Sequence, residues 1–288
     1  KKSNFVTFSY NHFWDSGKAS LCGLGESSEF FVTYHHNWFD HSDSRHPRIR
    51  TGTIHIYNNY YDGVSKYGVG NTTGGSAFVE ANYFRNCKYP MLISKQGTDI
   101  YYDSKGTFSG EPGGMIKAYN NIVVGATRLI YHTQDPVHFD AYLATTRNEQ
   151  VPTTYKTVSG GNTYNNFDTA STMYTYTPDA PEDVPAIVTK YAGRVNGGDF
   201  KWTFTDADDA SYDVNTALKQ KILNYNPASV KVAPAAPTNL TATSGNKKVT
   251  LQWTGTSDAS SYNVKRAESN GGPYITVKSV TLTSYTDT

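Results

Sequence analysis

Three guanidinium side chains stand within six residues in the segment Ser44, Arg45, His46, Pro47, Arg48, Ile49, Arg50, Thr51, Gly52. Guanidinium donates from a rigid planar fork that matches carboxylate or phosphate, so a cluster of three points to anion recognition. In extended chain Arg48 and Arg50 face one way and Ile49 the other, while Pro47 breaks the regularity and redirects Arg45. Upstream, Lys18 stands nearly as far beyond Asn11 as Arg45 stands beyond Asn37. The plain alternative is a solvated basic patch. What decides between the two is whether the fold stacks these positions on one face.

A repeat supplies that stacking. Val6, Val32, Ile54, Ala77 and Ile116 each stand five residues before an asparagine, and Phe8, Tyr34, Ile56, Val79 and Ala118 three before it. The asparagines are Asn11, Asn37, Asn59, Asn82 and Asn121, at intervals of 26, 22, 23 and 39 residues. Two residues beyond them come Phe13, Phe39, Tyr61, Phe84 and Val123, and a weaker sixth copy ends at Asn166. Alternation ahead of each asparagine predicts a half-buried strand, and the asparagine predicts its end, since this residue tolerates left-handed backbone. Register held over such a period predicts a parallel β-helix with asparagines laddered inside a bend. Neighbouring coils lie about 4.8 Å apart, which sets Lys18 beside Arg45 on one ridge. The competing arrangement is a sandwich of unrelated strand–turn units.

The long interval before Asn121 contains Ser104 to Gly114, a Gly, Ser and Pro-rich run that reads as a loop projecting from one face. From about 125 to 230 the period fades. One short helix is expected at Val214 to Leu223 with Ala217, Leu218 and Ile222 on a face, and the whole region is expected to cover the coils. Composition shifts at the Pro/Ala segment 232–237, read as a linker. Beyond it, alternation through Leu240, Val249, Leu251, Trp253, Tyr262 and Val264 predicts a second β module over 238–288. The first domain is therefore 1–231.

Composition narrows the classes. Among 288 residues, Phe, Trp and Tyr make up 14% and charged residues 18%, with 24 Gly. That mixture favours strands and turns over helix. The 26 basic side chains nearly cancel the 25 acidic ones, so a nucleic acid or anionic membrane is not the expected partner. Cys22 and Cys87 read as buried thiols before they read as a disulfide. His12, His35, His36, His41, His46 and His55 raise the thought of a metal or general-base cluster, but His36 and His55 read as structural. Trp38, Tyr60 and Tyr61 read as rung-stacking residues before sugar platforms. The chain opens at Lys1 already near a strand, which reads as a start inside a larger protein.

The ordered set of coils through Asn11, Asn37 and Asn59, the Arg45–Arg50 motif, Lys18 in its short loop, and the run from Asp140 through Arg147 to Pro152 resembles pectate lyases of polysaccharide lyase family one. The resemblance covers roughly residues 3–225. It implies a right-handed parallel β-helix, all-β with a partial β-sandwich behind it, that cleaves homogalacturonan by β-elimination. In the family the first Arg of the motif is the Brønsted base, which falls on Arg45. Lys18 and Arg50 fall on residues that bind substrate carboxylates, and His46 and Arg48 are expected beside the substrate. The resemblance also implies calcium, with ligands mainly on coils upstream of residue 1, so Asp15, Asp40 and Asp43 are not assigned. It implies a polygalacturonate or pectin partner, secretion and a monomer. The terminal module resembles an incomplete fibronectin type III domain.

Three competing functions remain in view. Pectin lyase acts on methyl-esterified substrate and has no need of Lys18 and Arg50. A polygalacturonase needs paired carboxylates on neighbouring coils, and the one Asp pair, Asp208 and Asp209, lies outside the coils. A non-catalytic binding protein would hold the polymer through the same arginines without cleaving it.

Overall fold

The computed structural model describes residues 3–23, 29–102, 107–193, 202–203, 205–209, 211, 213, 215–224, 235–256, 259–269 and 272–288. Val214, Ser104 to Gly106 of the predicted loop, and Val232 to Pro234 of the predicted linker lie outside them. The chain divides into two units, Lys1–Asn226 and Pro227–Thr288.

The first unit is a parallel β-helix. Its first coil contributes β1 (Val6–Ser9), β2 (His12–Trp14) and β3 (Leu21–Cys22). The second contributes β4 (Phe31–His35), β5 (Trp38–Asp40) and β6 (Arg48–Arg50). Next come β7 (Thr53–Tyr57), β8 (Tyr60–Asp62) and β9 (Tyr67–Thr72), then β10 (Ser76–Glu80), β11 (Tyr83–Arg85) and β12 (Tyr89–Ile93). After helix α1 (Thr98–Tyr102) the last coils supply β13 (Met115–Tyr119), β14 (Ile122–Val124) and β15 (Tyr142–Leu143). Like strands stack into three parallel sheets, ordered β1-β4-β7-β10-β13-β15, β2-β5-β8-β11-β14 and β3-β6-β9-β12. The register pairs the residues that the repeat aligns: Val6 with Val32, Val32 with Ile54, Ile54 with Ala77 and Ala77 with Ile116.

Phe39, Tyr61 and Phe84 are fully buried and stack ring on ring at 5.0 and 4.2 Å, with Phe13 4.9 Å beyond Phe39. The asparagine ladder is continuous. The side-chain amide of Asn11 donates to Asn37, Asn37 to Asn59, Asn59 to Asn82 and Asn82 to Asn121, at 2.9 to 3.0 Å. The left-handed residue is not the asparagine itself but the one before it: Tyr10, His36, Asn58, Ala81 and Asn120 all have φ near +50°. The ladder amide acts instead as a side-chain cross-link that answers buried backbone groups. Asn166, the predicted sixth copy, does not join the ladder. It bonds Val151 through both its amide nitrogen and its oxygen. Cys22 and Cys87 are buried free thiols.

The faded region does cover the coils. Tyr174 and Tyr176 reach His55 and Glu80 on the outer face of the first sheet. Val184 and Val188 of α2 (Val184–Tyr191) cover Tyr60, Trp38 and Tyr83 on the second. After α3 (Asp206–Asp209), α4 (Thr216–Leu223) is capped by Asn215 and buries Leu218. The second unit is antiparallel: β16 (Thr238–Gly245), β17 (Lys248–Thr254) and β20 (Ser284–Asp287) form one sheet, β18 (Tyr262–Arg266) and β19 (Ile275–Val280) another. Two small antiparallel sheets fit a partial sandwich, with Trp253 set edge-on to Tyr262 at 5.4 Å.

Candidate active site

The arginine motif occupies the turn into the third sheet. Leu21 pairs with Arg48, and the turn that carries Lys18 stacks on the turn that carries Arg45. Backbone bonds from Ala19 N–H to Ser44 O (3.0 Å) and from Ser20 N–H to Arg45 O (2.8 Å) hold the two turns together. On the other side Arg48 pairs with Gly70, which sets Tyr67 beside Arg45. Lys18, Arg45 and Tyr67 thus lie on three successive coils, each step about 4.8 Å. Lys18 is exposed and Arg45 half-buried. Arg45 has φ +66°, a left-handed conformation that is unusual for a residue with a long side chain. Its guanidinium bonds the phenol of Tyr67. Burial pushes the Tyr67 phenol up to about 12, against the opposing pull of Arg48 and Arg45, so it remains a neutral partner.

His46 was expected beside the substrate, and the structure corrects this. It is fully buried behind the turn, with Nδ1 2.9 Å from Tyr67 O and Nε2 2.8 Å from Ser42 Oγ. A carbonyl can only accept, so Nδ1 carries the proton and Nε2 takes the Ser42 hydroxyl. Burial pushes its pKa down to about 4. Both nitrogens are committed, and the ring works as an internal pin between two coils.

Arg48 and Arg50 flank Ile49, which is fully buried inside the coil. Their guanidiniums meet on the outer face, where both are engaged by the carboxylate of Glu111. Its Oε2 is paired with Arg48 and its Oε1 lies 3.1 Å from Arg50. Arg48 also lies over the Phe108 ring at 5.3 Å. Arg48, expected at the substrate, is therefore covered, and only the outer part of Arg50 is open. Tyr67 and Glu111 were not foreseen as site residues. The available signal for Glu111 was the long interval before Asn121, which required a loop to leave the coil here.

Among the described residues, the carboxylates around Arg45 do not make a suitable donor set for calcium. The Asp43 carboxylate accepts the hydroxyls of Ser44 (2.9 Å) and Ser65 (3.0 Å), and Glu111 accepts two arginines. Among the described residues, one group of three has metal-ligand spacing: Asp40, His41 and Asp62, on the second sheet. Asp40 already takes His12 (2.7 Å) and His41 (2.6 Å), while Asp62 takes Arg85 (2.6 Å). Both Asp40 oxygens are thus engaged by imidazoles and Asp62 by a guanidinium, which does not fit a cation site.

The family model described as pectate lyase matches residues 1–195. The chain belongs to the pectate lyase family. It is 33% identical over 118 residues to the pectate trisaccharide-lyase of Bacillus licheniformis, covering 40% of this chain and 35% of that protein. Pectate lyase 3 of Pectobacterium carotovorum is 29% identical over 194 residues, covering 67% of this chain and 45% of that protein. The chain thus spans less than half the length of these relatives. Among solved structures, pectate lyase II of Xanthomonas campestris aligns with a TM-score of 0.46 and 30% identity, over 67% of this chain and 50% of the other. Pectate lyase C of Erwinia chrysanthemi, determined with calcium, aligns with a TM-score of 0.44 and 23% identity over 72% of this chain and 51% of the other.

Proposed function

We propose that this chain is part of a pectate lyase that cleaves α-1,4-linked galacturonan by β-elimination, releasing unsaturated oligogalacturonides. The observation that carries this reading is the placing of Lys18 and Arg45 in the stacked turns of adjacent coils, with Arg50 on the strand that follows. A row of cations at coil spacing suits a linear polymer that carries a carboxylate on every ring. In the reaction the C5 proton, which lies α to a carboxylate, goes to Arg45. The C5–H electron pair becomes the C4–C5 double bond, and the glycosidic C4–O bond breaks with its pair on oxygen, which then takes a proton. Negative charge grows on the carboxylate side of C5, and Lys18 and Arg50 are the cationic groups at hand to stabilise it. A guanidinium base runs against that group's usual protonated state, so its orientation matters. Tyr67 and the left-handed backbone at Arg45 supply it. Calcium is the family's expected cofactor. It neutralises carboxylate charge when bound, and no step here is routed through it.

The polymer substrate makes extracellular action the natural setting, and a monomer suffices because every named group comes from one chain. We read the second unit as a fibronectin type III-like spacer. The test follows ultraviolet absorbance of the unsaturated uronate from polygalacturonate beside methylated pectin, for the native chain and Arg45→Lys. Loss of a positioned base costs about 10²–10⁴-fold in turnover. The variant should lose that much rate while still binding polygalacturonate. If it loses binding and rate together, the arginines hold the polymer without cleaving it.

A further inference from the structure

The basic character of the arginine turn does not stop at Arg45. The corner between the second and third sheets is made of stacked turns, and each carries a cation. Lys18 lies between β2 and β3, Arg45 between β5 and β6, Lys66 just before β9, Lys88 just before β12, and Arg128 beyond β14. Backbone bonds join the later turns as they join the first two. Lys66 N–H donates to Asp43 O (2.9 Å), Lys88 N–H to Val64 O (2.9 Å) and Thr127 N–H to Lys88 O (3.0 Å). Lys18 and Arg128 are exposed, and Arg45, Lys66 and Lys88 are half-buried. Four coil steps of about 4.8 Å spread these cations over about 19 Å along the axis. The acids of the same turns do not cancel them: Asp15 is buried, and the Asp43 carboxylate is taken up by the hydroxyls of Ser44 and Ser65. Five cations against two acids leave the corner net positive. Like charges on neighbouring coils repel one another. A polyanion lying along the corner relieves that repulsion.

Resting on the lyase reading, we propose that this corner is the track on which the polygalacturonate chain extends beyond the scission point. Lys66, Lys88 and Arg128 hold its carboxylates on the side of Arg45 away from Lys18. An ammonium on a flexible four-carbon stem follows a carboxylate without demanding one fixed geometry, so the track holds a run of uronates and not a single ring. A methyl ester carries no charge for these groups to hold, and the track therefore selects stretches of free galacturonate.

The test is affinity electrophoresis with chelator present, in gels containing polygalacturonate or highly methyl-esterified pectin, with mobility taken relative to a polymer-free gel. The native chain should be retarded by polygalacturonate, less by the esterified polymer, and released by salt. Lys66→Gln combined with Lys88→Gln should weaken binding to polygalacturonate by about tenfold, or about threefold for each exposed charge removed, with little change on esterified pectin. Arg128→Gln, at an exposed position, should lose about threefold. Lys265→Gln with Lys278→Gln, the same charge change made on the exposed surface of the second unit, should lose nothing. Native affinity kept by both corner variants overturns the proposal. So does an equal loss in the second-unit variant, which would mark a general charge effect, and so does absence of retardation of the native chain by polygalacturonate. Failure of the lyase reading shows separately, as no ultraviolet product from any substrate while the corner variants still lose retardation.

Discussion

The buried imidazole of His46 makes the arginine turn acid-sensitive by an amount that can be worked out. Its pKa lies near 4 in the folded chain because burial disfavours the charged form, against about 6.5 when unfolded. The folded state therefore binds fewer protons than the unfolded state in this window. Stability from neutral His46 is complete above pH 6.5 and is lost as pH falls toward 4. Integrating the two titrations from pH 8 to pH 5 gives a loss of about 2 kcal/mol from this one residue. The full difference, reached near pH 4, is about 3 kcal/mol.

The assay is urea unfolding of the native chain and of His46→Gln at pH 8 and pH 5. Replacement costs some stability at pH 8, because the amide cannot reproduce both the Ser42 and Tyr67 contacts. What matters is the difference between pH values. His35, also held near pH 4 by burial and by neighbouring His36 and His55, contributes to acid loss in both proteins and cancels. The native chain should lose about 2 kcal/mol more than the variant between the two pH values. Equal losses would refute the claim that His46 is neutral and internally committed, and would reopen it as a cleft residue.

Two further outcomes follow from the same structure. Asn59→Ala removes the acceptor of Asn37 N–H and a donor to the Tyr34 and Tyr57 carbonyls, all inside the coil, and should cost about 2–4 kcal/mol by thermal or urea unfolding. Asn11→Ala, at the exposed end of the ladder, should cost at most about 1 kcal/mol, and equal costs would refute the ladder's role in stability. Calcium titrated calorimetrically into this chain should give no tight binding, because the carboxylates near Arg45 are already bonded to Ser44, Ser65, Arg48 and Arg50. Saturable binding abolished by Asp43→Asn would show that donor set to be open after all.

The fold was legible because the β-helix is built from local, repeated instructions. Each coil needs its own inward residues, such as Val32 and Tyr34 or Ile54 and Ile56, and its own asparagine, and the same spacing recurs along the chain. Five copies in register leave little freedom in how the strands stack. Where the instruction was only approximate, the reading slipped. Asn166 follows a plausible strand pattern but no neighbouring coil offers it an amide, so it closes on Val151 instead. Left-handed backbone was expected at the asparagines themselves. It falls one residue earlier, on types as unlike as Tyr10 and Ala81, because the corner is imposed by stacking and not by local preference.

The site divides along the same line. That the turns of Lys18 and Arg45 stack was legible, because coil spacing alone brings them together. The state of the other arginines was not, because it depends on a carboxylate far along the chain. Glu111 lies in a segment whose composition says only that it is a loop, and no period connects it to β6. Its docking is decided by Phe108 finding the space above Gly70 and by Ser94 and Thr73 holding its backbone. His46 shows the reverse error: its position in the motif suggested contact with substrate, yet that position is where the turn folds inward between Ser42 and Tyr67. A periodic sequence thus announces where cations stand in a β-helix, while the long loops decide which of them are still free to meet an anion.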